Sequence, residues 1–99
     1  MSISKPAIEE YFDTEVLTEA LHTCQLIVWN DEVNTFDWVI TTLIEVCGHS
    51  AEQAEQCALF IHHQGKYAVK AGEYDNLKPL CDDITERGIG ATIEVLSES

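Results

Sequence analysis

Residues 24–29 read CQLIVW, a short run rich in β-branched side chains and apolar at nearly every position. Such a run is a strand that needs at least one well buried face, so the rest of the chain must supply its cover. The chain has 99 residues, 45% of them hydrophobic, which suffices for one core and leaves little for a second. One small module built against this strand is expected.

The elements that could cover it are marked by caps and spacing. After the polar triplet Asn30-Asp31-Glu32, Asn34 stands three residues before Asp37, the pattern of an N-cap followed by an acid, so a helix is expected from about Thr35. Phe36, Val39, Leu43, Val46 and Cys47 give its inner stripe, and Gly48 ends it. Ser50-Ala51-Glu52-Gln53 is a capping box, and Ala54, Cys57, Ala58 and Ile61 form the stripe of the helix that follows. His62 and His63 lie in its last turn and Gly65 closes it.

KYAVKAG over 66–72 then alternates Tyr67, Val69 and Ala71 with Lys66 and Lys70, a half-exposed strand. Pro79 belongs in a first helical turn, which makes Asp75 the expected cap of a third helix carrying Leu77, Leu80, Cys81 and Ile84 inward. Gly88 and Gly90 end it, and ATIEVL from Ala91 supplies a last strand. The order strand, helix, helix, strand, helix, strand fits an α+β sandwich: a small three-stranded antiparallel sheet with three helices packed on one face.

Residues 1–23 differ in character, with Glu9, Glu10, Asp13, Glu15 and Glu19 against Lys5. They are expected to be a flexible acidic tail ahead of a core over 24–99, able to fold as an amphipathic helix over 8–21 when given an apolar surface. The formal net charge of −13 would repel nucleic acid and anionic membranes and favour a cationic partner. No stretch is long and apolar enough for a bilayer, and the start lacks the pattern of a secretory signal, so a cytoplasmic monomer is expected.

Familiar catalytic and metal spacings do not occur: there is no glycine-rich phosphate loop, Gly-x-Ser-x-Gly, Cys-x-x-Cys or His-Glu-x-x-His. His22 and Cys24 form a close pair without a second, and Cys57 and His62 point different ways on one helix. Cys24, Cys47, Cys57 and Cys81 all fall within apolar patterns, where reduced thiols are buried and inert. Neither an enzyme, nor a metal site, nor a cofactor is expected. His22, His49 and His63 read as solvated surface residues, and the residue pattern alone favours a structural role for His62 at the border of the core.

A resemblance changes that reading. NDEVNTFDWV followed by IHHQGKY resembles the ClpS adaptor family, which carries a strand ending in Asn-Asp-Asp, a helix a few residues on, and a Val-His-x-x-Gly-Lys segment closing the next helix. The family's function implies an adaptor that binds proteins through a free α-amino group and a bulky first residue (Leu, Phe, Tyr or Trp), and delivers them to an AAA+ unfoldase of the Clp protease, of ClpA or ClpC type. Carried over by position, the amine-binding groups fall on Asn30, Asp31 and His62, and the side-chain pocket on Phe36, Val39, Ala58, Ile61 and Ile89. The tail, in family members a segment that engages the unfoldase, corresponds to 1–23 by position.

Some residues depart from that pattern. Glu32 replaces a second aspartate, Asn34-Thr35 stands where Thr-Pro is common, and Phe36 and Ala58 stand where methionine is common, which implies a wider pocket behind a narrower mouth. A second reading of the same sandwich is a protein-interaction domain like the carboxy-terminal domain of the ribosomal stalk protein, which has no use for Asn30-Asp31 beside His62.

Overall fold

The computed structural model describes residues 24–96. They form, in order, β1 (Cys24–Trp29), α1 (Phe36–Cys47), α2 (Ala51–Gln64), β2 (Lys66–Gly72), α3 (Tyr74–Glu86) and β3 (Ala91–Val95). The tail expected over 1–23, with its helix at 8–21, lies outside the described residues.

The apolar run takes the central place, with the sheet ordered β2-β1-β3 and β1 antiparallel to both neighbours. Cys24, Leu26 and Val28 alternate onto one side of β1. There they share a core with Leu43 and Cys47 of α1, Ala54, Cys57 and Ile61 of α2, and Leu77 and Ile84 of α3. Because all three helices pack on the same strand positions, they lie on one face of the sheet. Each large aliphatic side chain buried this way contributes roughly 1.5 to 3 kcal/mol.

Across the opposite face, the Lys66 ammonium lies 4.8 Å from the Trp29 ring centroid and 3.9 Å from Glu94 Oε2, a link from β2 to β3 that crosses β1. The Trp29 indole N–H donates to Thr92 Oγ1 at 2.9 Å on the same side.

The alternation expected in β2 is interrupted. Leu26 pairs with Lys70 and Ile27 with Ala68, so Val69 is the extra residue of a β-bulge. Cross-strand partners share a face, so beyond the bulge Lys70 and Gly72 fall on the side of Leu26 and Cys24. Ala71, expected inward, is exposed, and Gly72 is buried in its stead.

Helix starts differ from the sequence expectation in two places. In α1 the N-cap is Thr35 rather than Asn34, its Oγ1 accepting the Trp38 N–H at 3.0 Å. For α3 the first turn closes on the Glu73 carbonyl, which accepts from Asn76 and Leu77 at 3.0 and 3.1 Å. That start, ahead of Asp75, leaves Pro79 in the second turn, while Leu77 and Ile84 are buried as expected. The capping box of α2 is as read, with Ser50 and Gln53 exchanging bonds of 3.1 Å. Gly48 and Gly65 end α1 and α2 at φ of 76° and 92°, a left-handed backbone that suits a residue without Cβ. Among the described residues no helix is long and apolar enough to cross a membrane.

Candidate functional site

The end of β1 is pinned on two sides. The Asn30 amide donates to the Gly65 carbonyl at 2.9 Å, tying the strand to the turn after α2, and the Trp29 amide donates to Gly90 at 2.9 Å, tying it to the turn before β3. The loop that follows, with α1 and the C-terminal half of α2, encloses a cavity of about 310 Å³. That is the small end of the range for ligand sites, roughly 300 to 1,000 Å³, and suits an occupant the size of a side chain.

Its wall is apolar and its rim polar. Val39 of α1 faces Ala58 and Ile61 of α2, the last two only 2% exposed, and Phe36, 38% exposed, stands at the mouth. Asn30, Asp31 and His62, all exposed, supply the rim together with the exposed Thr35 and the half-buried Asn34. His62 reaches it because it follows the buried Ile61 in the last turn of α2, its ring edge-on to His63 with centroids 5.3 Å apart.

Asp31 is held in place by its own loop. Oδ1 accepts the amides of Val33 at 2.9 Å and Asn34 at 2.8 Å, and Oδ2 accepts the side-chain amide of Asn34 at 2.8 Å. The backbone and then the side-chain bond from Asn34 outweigh the small effect of burial and hold the Asp31 carboxyl below the usual carboxylate range. It is an anion at neutral pH, with Oδ1 filled and Oδ2 able to accept once more. A rim with an anion, an amide and an imidazole above an apolar wall can hold a small cation attached to a greasy group.

Ile89 is not among the residues lining this cavity. It is buried in the core with Ile84, whose carbonyl accepts the Ile89 amide at 3.4 Å, because the turn at Gly88 (φ 87°) folds the chain inward there. Glu32 does not line the cavity either. Asn34 and Thr35 do, although the local pattern assigns Asn34 only to the helix start; four Asx residues within 30–37 are the sequence signal that side chains in this loop bond one another.

Elsewhere, His49 is half-buried rather than solvated, with Nε2 3.0 Å from the Val69 carbonyl and Nδ1 3.4 Å from that of Leu43. Burial pushes the Cys47 thiol up to about 11 and raises Cys57 as well, so both stay protonated and unreactive. Among the described residues no three His, Cys, Asp or Glu side chains group as a metal ion would need.

A family model described as ATP-dependent Clp protease adaptor protein ClpS matches residues 19–92, a span that contains the whole cavity. The ATP-dependent Clp protease adapter protein ClpS of Corynebacterium aurimucosum is 27% identical over 92 residues, covering 93% of this chain and 83% of that protein. That of Corynebacterium efficiens is 31% identical over 68 residues, covering 69% and 67%. Among solved structures, Agrobacterium tumefaciens ClpS2 bound to L-phenylalaninamide aligns with a TM-score of 0.72 over 75% of this chain and 96% of that one. At 19% identity this likeness speaks for the fold.

Proposed function

The chain belongs to the ClpS family of Clp protease adaptor proteins, which are not enzymes, and from that premise we propose that its cavity reads the first residue of substrate proteins. The α-amine of the substrate sits at Asn30, Asp31 and His62, and its first side chain fills the space between Phe36, Val39, Ala58 and Ile61. The substrate then passes to an AAA+ unfoldase of the protease, of ClpA or ClpC type, with the adaptor acting as a cytoplasmic monomer.

The observation that carries this reading is the placement of an ionised carboxylate, Asp31, on the rim of an apolar cavity sized for one side chain. A protonated amine is a compact cation with three donors and no acceptor, and Asn30, Asp31 and a neutral His62 ring are acceptors. L-phenylalaninamide, the ligand in the Agrobacterium tumefaciens structure, joins just these two features, an α-amine and a phenyl side chain. Charge-assisted bonds of roughly 1.5 to 3 kcal/mol each and about 2 to 3 kcal/mol for a buried aromatic ring, less several for association, give a micromolar or tighter complex.

Fluorescence anisotropy with peptides differing only at the first residue tests this. Leu, Phe, Tyr and Trp are expected to bind and Gly, Asp or an acetylated Phe to fail, with His62→Ala weakening every binder. Affinity indifferent to the first residue, or to acetylation, contradicts it.

A further inference from the structure

One side chain in the rim loop makes bonds that the start of a helix does not call for. Asn34 precedes the N-cap, and its Nδ2 donates both to Asp31 Oδ2 at 2.8 Å and to the Gly88 carbonyl at 2.9 Å. A primary amide has two N–H groups, so each acceptor receives its own. The Gly88 end is fixed: its amide donates to Thr85 at 3.0 Å, and the adjoining Arg87 carbonyl accepts the Trp38 indole N–H at 3.1 Å. Asn34 thus ties a side-chain carboxylate to a firm stretch of backbone on the far side of the loop.

We propose that Asn34 is a positioning residue for recognition of the substrate's α-amine, acting through Asp31 and not by contact with the amine. Without it, the remaining bonds to Asp31 both end on Oδ1, so the carboxylate can turn about that oxygen and Oδ2 loses its fixed place. An acceptor already in position need not be ordered by the ligand, and the complex is tighter for it.

The inference rests on the amine-binding role proposed for Asp31, and one set of titrations separates the two. A peptide beginning with Phe, free or N-acetylated, is titrated between roughly pH 2.5 and 8, so that the window reaches below the ordinary carboxylate range, into wild type, Asn34→Ala and Trp38→Phe. The alanine variant is expected to bind the free peptide about tenfold more weakly and to leave the weak binding of the acetylated one unchanged. The acid limb of its affinity profile moves to higher pH, because Asp31 has lost a donor that held its carboxyl down. Glu32, Asp37 at the start of α1 and His62 across the cavity are common to all three proteins, so the displacement between profiles belongs to Asp31. Trp38→Phe removes the neighbouring tie to the same turn and is expected to move neither readout.

If wild type ignores acetylation, the reading of the cavity fails. If wild type discriminates but Asn34→Ala weakens both peptides alike, shifts no limb, or is matched by Trp38→Phe, then Asn34 only holds the turn and the inference is overturned. Should the alanine variant not fold, Asn34→Ser, too short to reach both acceptors, is read in the same way.

Discussion

Asp31 serves the loop and the cavity with one carboxylate, and its charge state links them. Its folded pKa lies below the ordinary value of about 3.9, so the bonds it accepts stabilise the fold fully above that value and fade as pH falls through the lower folded one. Asp31→Asn keeps an acceptor for the backbone amides but turns an N–H toward the amide of Asn34. The difference in Tm between this variant and wild type is therefore expected to be largest near neutral pH and to shrink below about pH 4; a difference constant down to acid pH would mean the charge of Asp31 does not matter to the loop. Ala58 answers for the other half of the cavity. It is the smallest side chain on the apolar wall, and Ala58→Met would put a thioether stem into the about 310 Å³ space. Peptides beginning with Trp or Phe are then expected to lose about tenfold or more in affinity, and those beginning with Leu less, in the same anisotropy series. An equal loss for all three would show that Ala58 does not face the ligand.

At the scale of elements, the helices follow their stripes more faithfully than their caps. Leu43 and Cys47, Ala54 and Ile61, and Leu77 and Ile84 all enter the core as their spacing implies, because burial depends on a whole period and tolerates a shift of one residue at either end. Caps turn on competition for a single bond: Thr35 displaces Asn34 because Asn34 has stronger partners elsewhere, and those partners, Asp31 and the Gly88 carbonyl, meet only in the fold. The same holds for the bulge at Val69, which answers to the register with β1 and has no mark of its own in KYAVKAG. Pro79 shows the local rule losing to the core. Its exposed ring sits in the second turn of α3, where it cannot donate to the carbonyl of Asp75, because the helix starts ahead of Asp75 with its first turn closed on the Glu73 carbonyl and the buried Leu77 within it. Pro79→Ala is accordingly expected to restore that bond and raise stability by about 1 to 3 kcal/mol, read as a higher midpoint in urea; an unchanged or lower midpoint would mean the helix has already relaxed around the ring.

For the whole molecule, the site is an assembly of distant pieces: Asn30 and Asp31 leave the central strand, Phe36 and Val39 open α1, and Ala58, Ile61 and His62 close α2. No spacing rule joins Asp31 to His62, so residue patterns alone make that histidine a border residue; only the order of both segments together, NDEVNTFDWV and then IHHQGKY, carries the family resemblance that implies a site role for it, and in the fold it lines the same cavity as Asp31. Charge is the property of the chain that composition does state. Against 18 acidic residues stand 5 basic ones, and three of these are already engaged, Lys66 by Glu94 and Trp29, Lys78 by Asp82, and Arg87 by Glu45. The field of the chain is therefore negative, and under the proposed function it would act on whatever follows the first residue of a substrate as well as on the amine. Peptides with Lys or Arg at the next positions should bind more tightly than those with Asp or Glu, chiefly through faster association. Because the effect acts through solvent, raising salt from about 0.05 to 0.5 M, which shortens the screening length to a few ångströms, is expected to close most of that gap. The proposed preference for the first residue would depend on contact inside the cavity and should survive the same change. If the gap between basic and acidic peptides is untouched by salt, the discrimination comes from direct contacts outside the cavity rather than from the net charge.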